Sequence, residues 1–120
     1  MAYAGPRGRG RPEEDKPLAW LHGEVRSPPL TRFARREFGL LLRRLQRGET
    51  LSLPHSRPMK GIGPRCHERR LSDGDRAWCL VYRIDTDAIL ILDVFAETTQ
   101  ATPRHILESC RRRLARYDTT

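Results

Sequence analysis

The sequence predicts a small α+β domain with a mostly antiparallel sheet, in the order strand, helix, three-stranded meander, helix. Three observations carry this. Two segments repeat apolar residues every three or four places, as helices do. Three others have strand-type apolar patterns separated by Asp/Gly turns. The elements also run in blocks rather than alternating one by one, which favours α+β over a doubly wound sheet. A chain of 120 residues is one domain with a modest core.

Residues 1–16 hold Gly, Pro, Arg and acid without an apolar period and read as a disordered tail, leaving a folded domain over 17–118. The tail's RGRP at 9–12 has the look of a minor-groove hook, but Glu13, Glu14 and Asp15 follow it and would repel phosphate. Residues 18–21 form a short apolar first strand, and Ser27, Pro28 and Pro29 then break the chain. From 30 to 47, Leu30, Ala34, Phe38, Leu41 and Leu45 share one helical face. Thr31 or Ser27 supplies a cap and Gly48 a stop. Arg32, Arg36, Arg43 and Arg47 form a basic stripe on the opposite face, suited to a phosphate backbone or to an acidic partner.

The meander's strands are 66–71, 77–84 and 88–95, with turns at 73–75 and 85–87 that make both pairings antiparallel hairpins. The third is almost continuously apolar and is expected at the centre of the sheet. Thr102 and Pro103 open the last helix as N-cap and N1. Ile106, Cys110, Leu114 and Tyr117 form its buried face.

Formal net charge is +8 and the isoelectric point is about 10.4. Only Lys16 and Lys60 among the cations are lysine. Arginine's planar fork grips phosphate in two places, so the balance points to a polyanionic partner. Cys66, Cys79 and Cys110 are odd in number and lack CxxC spacing, which suggests reduced thiols and a cytoplasmic location. No apolar run has the length of a membrane span. Scattered His and Cys give no metal-ligand spacing, and no glycine-rich phosphate loop is present, so neither a metal nor a cofactor is expected. Cys66 and His67 are neighbours on opposite strand faces and cannot act as a nucleophile–base pair.

The densest chemistry lies in PHSRPMKGIGPRCHERR at 54–70. Arg57, Lys60, Arg65, Arg69 and Arg70 there need water or an anion. His67 and His55 are its only histidines, the residue type suited to acid–base work, so either can serve as proton donor or acceptor.

A resemblance rests on WLHGEV (20–25), LLRRLQRGE (41–49), PHSRPM (54–59), IGPRCHERR (62–70), LVYRID (80–85), DVFAETTQATP (93–103) and CRRRLARYD (110–118). Together they resemble the RelE/ParE toxin superfamily, in its phage Gp49-like (HigB-type) branch, over about 16–118. The resemblance implies a RelE/ParE-like fold and the toxin of a type II toxin–antitoxin system. Such a toxin is a metal-independent endonuclease cutting mRNA in the ribosomal A site. Its partner is a cognate antitoxin, often with a helix-turn-helix domain. Arg70 falls on the family's phosphate-clamping arginine, beside His67 or His55 as acid or base. Arg57, Lys60 and Arg65 would position the RNA backbone, with Arg83 also counted among the RNA-binding residues, and Arg76 or Arg83 would compensate for charge lost elsewhere. Tyr82 also matches a family position, while its strand pattern favours core packing.

The chain departs from the family at Cys79, where relatives carry arginine, and at Glu97 and Thr98, where they carry lysines. An anionic Glu97 opposes charge stabilisation at a scissile phosphate. The alternative is therefore a catalytically degenerate RelE-fold protein that binds RNA or antitoxin without cutting. A ParE-like gyrase inhibitor is a third reading.

Overall fold

The computed structural model describes residues 15–21, 30–50, 56–97 and 101–120. The expected tail up to residue 14, His22, the break at 27–29, His55 and Thr98 lie outside the described residues.

The elements are β1 (Leu18–Trp20), α1 (Arg32–Gln46), β2 (Arg57–Pro58), β3 (Cys66–Asp73), β4 (Arg76–Ile84), β5 (Ile89–Glu97) and α2 (Arg104–Asp118). The strands form one mixed sheet in the order β1-β5-β4-β3-β2. Among the described residues only β1 on β5 is parallel, and the other pairings are antiparallel. The expected class of a small α+β domain with a mostly antiparallel sheet is thus met.

Helix α1 forms for the reasons its sequence gives. Ala34, Phe38, Leu41, Leu42 and Leu45 are buried along one stripe, and the Thr31 hydroxyl accepts the Ala34 N–H at 3.1 Å as N-cap. Its end closes as a Schellman turn, with Gly48 N–H donating to the Leu45 carbonyl and Glu49 N–H to that of Arg44. Gly48 takes φ +90, which an L side chain resists. The β3–β4 turn needs only Gly74 and Asp75, since Asp73 pairs with Arg76. Gly74 at φ +70 supplies the first position of such a two-residue hairpin.

The sheet is covered on both faces. On one, α1 packs against Leu71, Trp78, Leu80, Tyr82, Ile89, Ile91 and Val94. On the other, Cys110 and Leu114 of α2 pack with Cys66, Val81, Ala88, Leu90 and Leu92. Between Val81 and Tyr82 the register to β5 slips, Val81 facing Asp93 and Tyr82 facing Ile91. Leu92 is the extra residue of this bulge, so it and Asp93 both serve the α2 side.

Three expectations are corrected. The central strand is β4, not the apolar 88–95 segment, because β1 adds to the outer edge of β5. The continuous apolar run of β5 reflects cover on both faces rather than a central place. Second, Pro103 rather than Thr102 is the N-cap of α2, without a side-chain capping bond. The Thr102 hydroxyl is used by buried Glu68, at 3.1 Å. Third, part of the basic run taken as loop is β2, paired with β3 through Arg57 and Glu68. Pro58 is tolerated there because β2 is an edge.

Candidate functional site

Side chains alternate across β3, and that alternation sorts the predicted site residues. Glu68 and Arg70 face α2, along with Cys66, whereas His67 faces the α1 side. Arg70 and His67 are therefore on opposite faces, and the structure does not bring them together.

Arg70 is half-buried on the α2 side. Its Nη1 lies 3.2 Å from Sγ of Cys79, its cross-strand partner. It lines a cleft with Ser72, Gly74, Asp75, Arg76 and Glu97. Cys79 is fully buried, and burial, then the charge of Glu68, pushes its thiol up to about 12. It stays protonated near neutral pH and offers no nucleophile. Glu97 stands opposite Ala77 at the rim of the same cleft, so this end holds carboxylates as well as arginines.

Next along the face lies Glu68, only 1% exposed. Nε and Nη2 of Arg57 reach its Oε1 at 2.9 and 2.8 Å, and Thr102 donates to Oε2. A carboxylate this deep stands only if its oxygens are satisfied, and here both are. The arrangement also ties β2 and the entry to α2 onto β3. Arg57 and Lys60, both exposed, line an open groove with Met59, Thr102 and Leu107. Arg111 closes the end of this turn by donating to the Gly61 carbonyl at 2.8 Å.

Arg83 occupies another place. Its guanidinium forks onto Asp85, at 2.8 and 2.9 Å, and onto Asp118, at 3.0 and 2.8 Å. The bonds to Asp118 raise its pKa, and they lower that of Asp118. This residue holds the end of α2 to the β4–β5 turn and is not near Glu97 or Cys79. Arg65 sits at φ +65 and donates to the Ile84 carbonyl at 3.2 Å, with Asp85 at 3.5 Å.

On the α1 side, the His67 ring stacks on Tyr82 with centroids 5.6 Å apart. Its Nδ1 lies 3.1 Å from the Arg65 carbonyl. Tyr82 is buried as its strand pattern suggests. Burial raises its pKa, and its hydroxyl bonds that of Ser56. Among the described residues no group of His, Cys, Asp or Glu is placed to hold a metal ion, and no helix is long and apolar enough to cross a membrane.

Sequence reasoning missed Glu68, Thr102 and the Asp93–Arg113 pair. The signal for Glu68 was present, because it sits between Cys66 and Arg70 at period-two spacing on an inward face. Arg113 donates to Asp93 at 2.9 Å and to the Leu92 carbonyl at 2.7 Å.

The face turned towards α2 thus carries an ordered row of arginine–carboxylate contacts ending in a cleft at Arg70. Comparison with family models, with curated proteins and with solved structures finds no match to this chain.

Proposed function

We propose that this chain is the toxin of a type II toxin–antitoxin pair of RelE/ParE type, acting on mRNA at the ribosome. The observation that carries the reading is that Arg57 and Arg70 share one sheet face, flanking Glu68, with Lys60 beside Arg57 on the same groove. A strip of cations along one face suits a single-stranded backbone, which presents a phosphate at every step.

In this reaction the RNA 2′-oxygen attacks the adjacent phosphorus and the 5′-oxygen leaves. A 2′,3′-cyclic phosphate remains, and the 2′-proton is balanced by one delivered to the leaving oxygen. Arg70 stabilises the charge on the phosphoryl oxygens. Proton transfer would fall to groups other than His67, which lies across the sheet.

Induced expression should arrest growth and leave mRNA cut in phase with codons, and Arg70→Ala should relieve both. Unimpaired growth with intact mRNA would sink the reading.

A second reading, a degenerate RelE-fold binder, is favoured by one observation: Arg70 meets Cys79 and shares its cleft with Glu97. It expects RNA binding without cleavage, and toxicity gained on combining Cys79→Arg, Glu97→Lys and Thr98→Lys.

A further inference from the structure

Cys79 is fully buried on the sheet face turned towards α2, directly across from Arg70. Nη1 of Arg70 donates to its Sγ at 3.2 Å. Glu68 pairs with Val81, two residues further along β4, so its carboxyl and the thiol are diagonal neighbours on that face. A thiol has one hydrogen to give and lone pairs to receive. Burial first, then the charge of Glu68 and its hydrogen bond with the thiol, raise the Cys79 pKa, so the proton stays on sulfur near neutral pH. Cys79 therefore donates to Glu68 and accepts from Arg70.

Glu68 is itself held. Arg57 reaches its Oε1 through two nitrogens, and Thr102 donates to Oε2. A chain of contacts thus runs from β2 and the entry to α2, through Glu68 and Cys79, to the guanidinium of Arg70. A long arginine side chain loses much rotamer freedom when it is ordered. A charge stabiliser nevertheless works best when its orientation is set before the reaction begins. A small apolar residue would fill the place of Cys79 but could not receive the Arg70 N–H.

We propose that Cys79 is a positioning residue, whose thiol bridges Glu68 to Arg70 and fixes the Arg70 guanidinium in the cleft it shares with Ser72, Arg76 and Glu97. Resting on the mRNA-cleavage reading, the oriented guanidinium is the one that meets the scissile phosphate. The contact that the binder reading counts against catalysis then serves it.

The test uses the full chain with Cys79→Ala, Cys79→Val and Cys79→Ser, assayed below the lowest melting temperature of the set for mRNA cleavage on programmed ribosomes. Alanine and valine bracket the native volume and lack the bridge. Both should lower the maximal rate about tenfold to a hundredfold, with the half-saturating concentration little changed. Serine keeps a donor and an acceptor and should recover most of that loss. NMR relaxation of the Arg70 Nε–H should show the side chain loosened by alanine and valine but not by serine, with the Arg70 backbone amide unaltered. Wild-type cleavage that alanine and valine leave unchanged overturns the positioning role while leaving the toxin reading intact. So does a serine variant as impaired as alanine, or an Arg70 side chain equally ordered in all four chains. Absence of cleavage by the wild-type chain overturns the toxin reading and this inference with it.

Discussion

The two faces of the sheet solve the same problem with different chemistry. Against α1 the sheet offers Trp78, Leu80, Tyr82, Ile89 and Ile91, and the helix answers with Phe38 and three leucines. Against α2 it offers smaller groups, and the helix contributes Cys110 and Leu114 as its buried residues. Glu68, Arg83 and Asp93, three of the four buried polar residues among those described, belong to this second side. Asp93 is 4% exposed and is held by Arg113, and Arg83 is held by two aspartates. Large apolar surfaces bind without regard to direction, whereas buried ion pairs tolerate only one geometry. The α1 face therefore supplies stability, and the α2 face fixes where α2, β2 and the arginine row stand.

The largest effect that can test this contrast is Trp78→Ala. It removes a fully enclosed ring from the α1 face and should cost about 3–5 kcal/mol, read as a lower urea midpoint. A loss below 1 kcal/mol would show that the α1 face is not the main source of stability. On the other face, Arg113→Met removes the cation paired with buried Asp93 and should cost about 2 kcal/mol. Adding Asp93→Leu should restore much of that, since removing both partners leaves no buried charge. If the double variant is less stable than the single one, the pair is worth more than its geometric role.

The smallest effect concerns the rim of the α1 face. Asp73 accepts from the Thr31 hydroxyl at 2.8 Å and from Trp78 Nε1 at 2.9 Å, and these bonds hold its carboxyl below the ordinary value. Because the folded pKa is the lower one, its contribution is complete above about pH 4 and is lost as pH falls through the depressed value. Melting of wild type and Asp73→Ala should differ slightly at pH 6 and converge in acid. A gap that stays constant down to pH 2.5 would remove Asp73 from the list of pH-sensitive contacts.

The fold was more legible than the site. Helix α1 could be read because its stripe, cap and glycine stop are all local signals. The hairpins could be read because Gly74 and the aspartates around 85–87 mark turns in sequence. Strand order could not, because the choice of β1 to join β5 is made by long-range pairing. Within the site, Arg70 was expected in the 66–71 strand, where β3 holds it, but its neighbours were not foreseen. That His67 and Arg70 diverge follows from period two, once the strand register is known. That Arg83 belongs to Asp85 and Asp118 depends on where α2 ends, which no local pattern encodes. Likewise Thr102 looked like a cap until Glu68, more than thirty residues earlier, required its hydroxyl.

The pairing of β1 with β5 also bears on how the chain is made. Its first strand can dock only after α1 and the entire meander have been synthesised, since they lie between the partners. Until then the apolar stripe of α1 has no complete sheet to cover it. Such distant pairing makes assembly a late event that proceeds after β5 has left the ribosome. Slowing translation upstream of residue 89 should therefore leave a protease-sensitive nascent chain rather than a partly built domain.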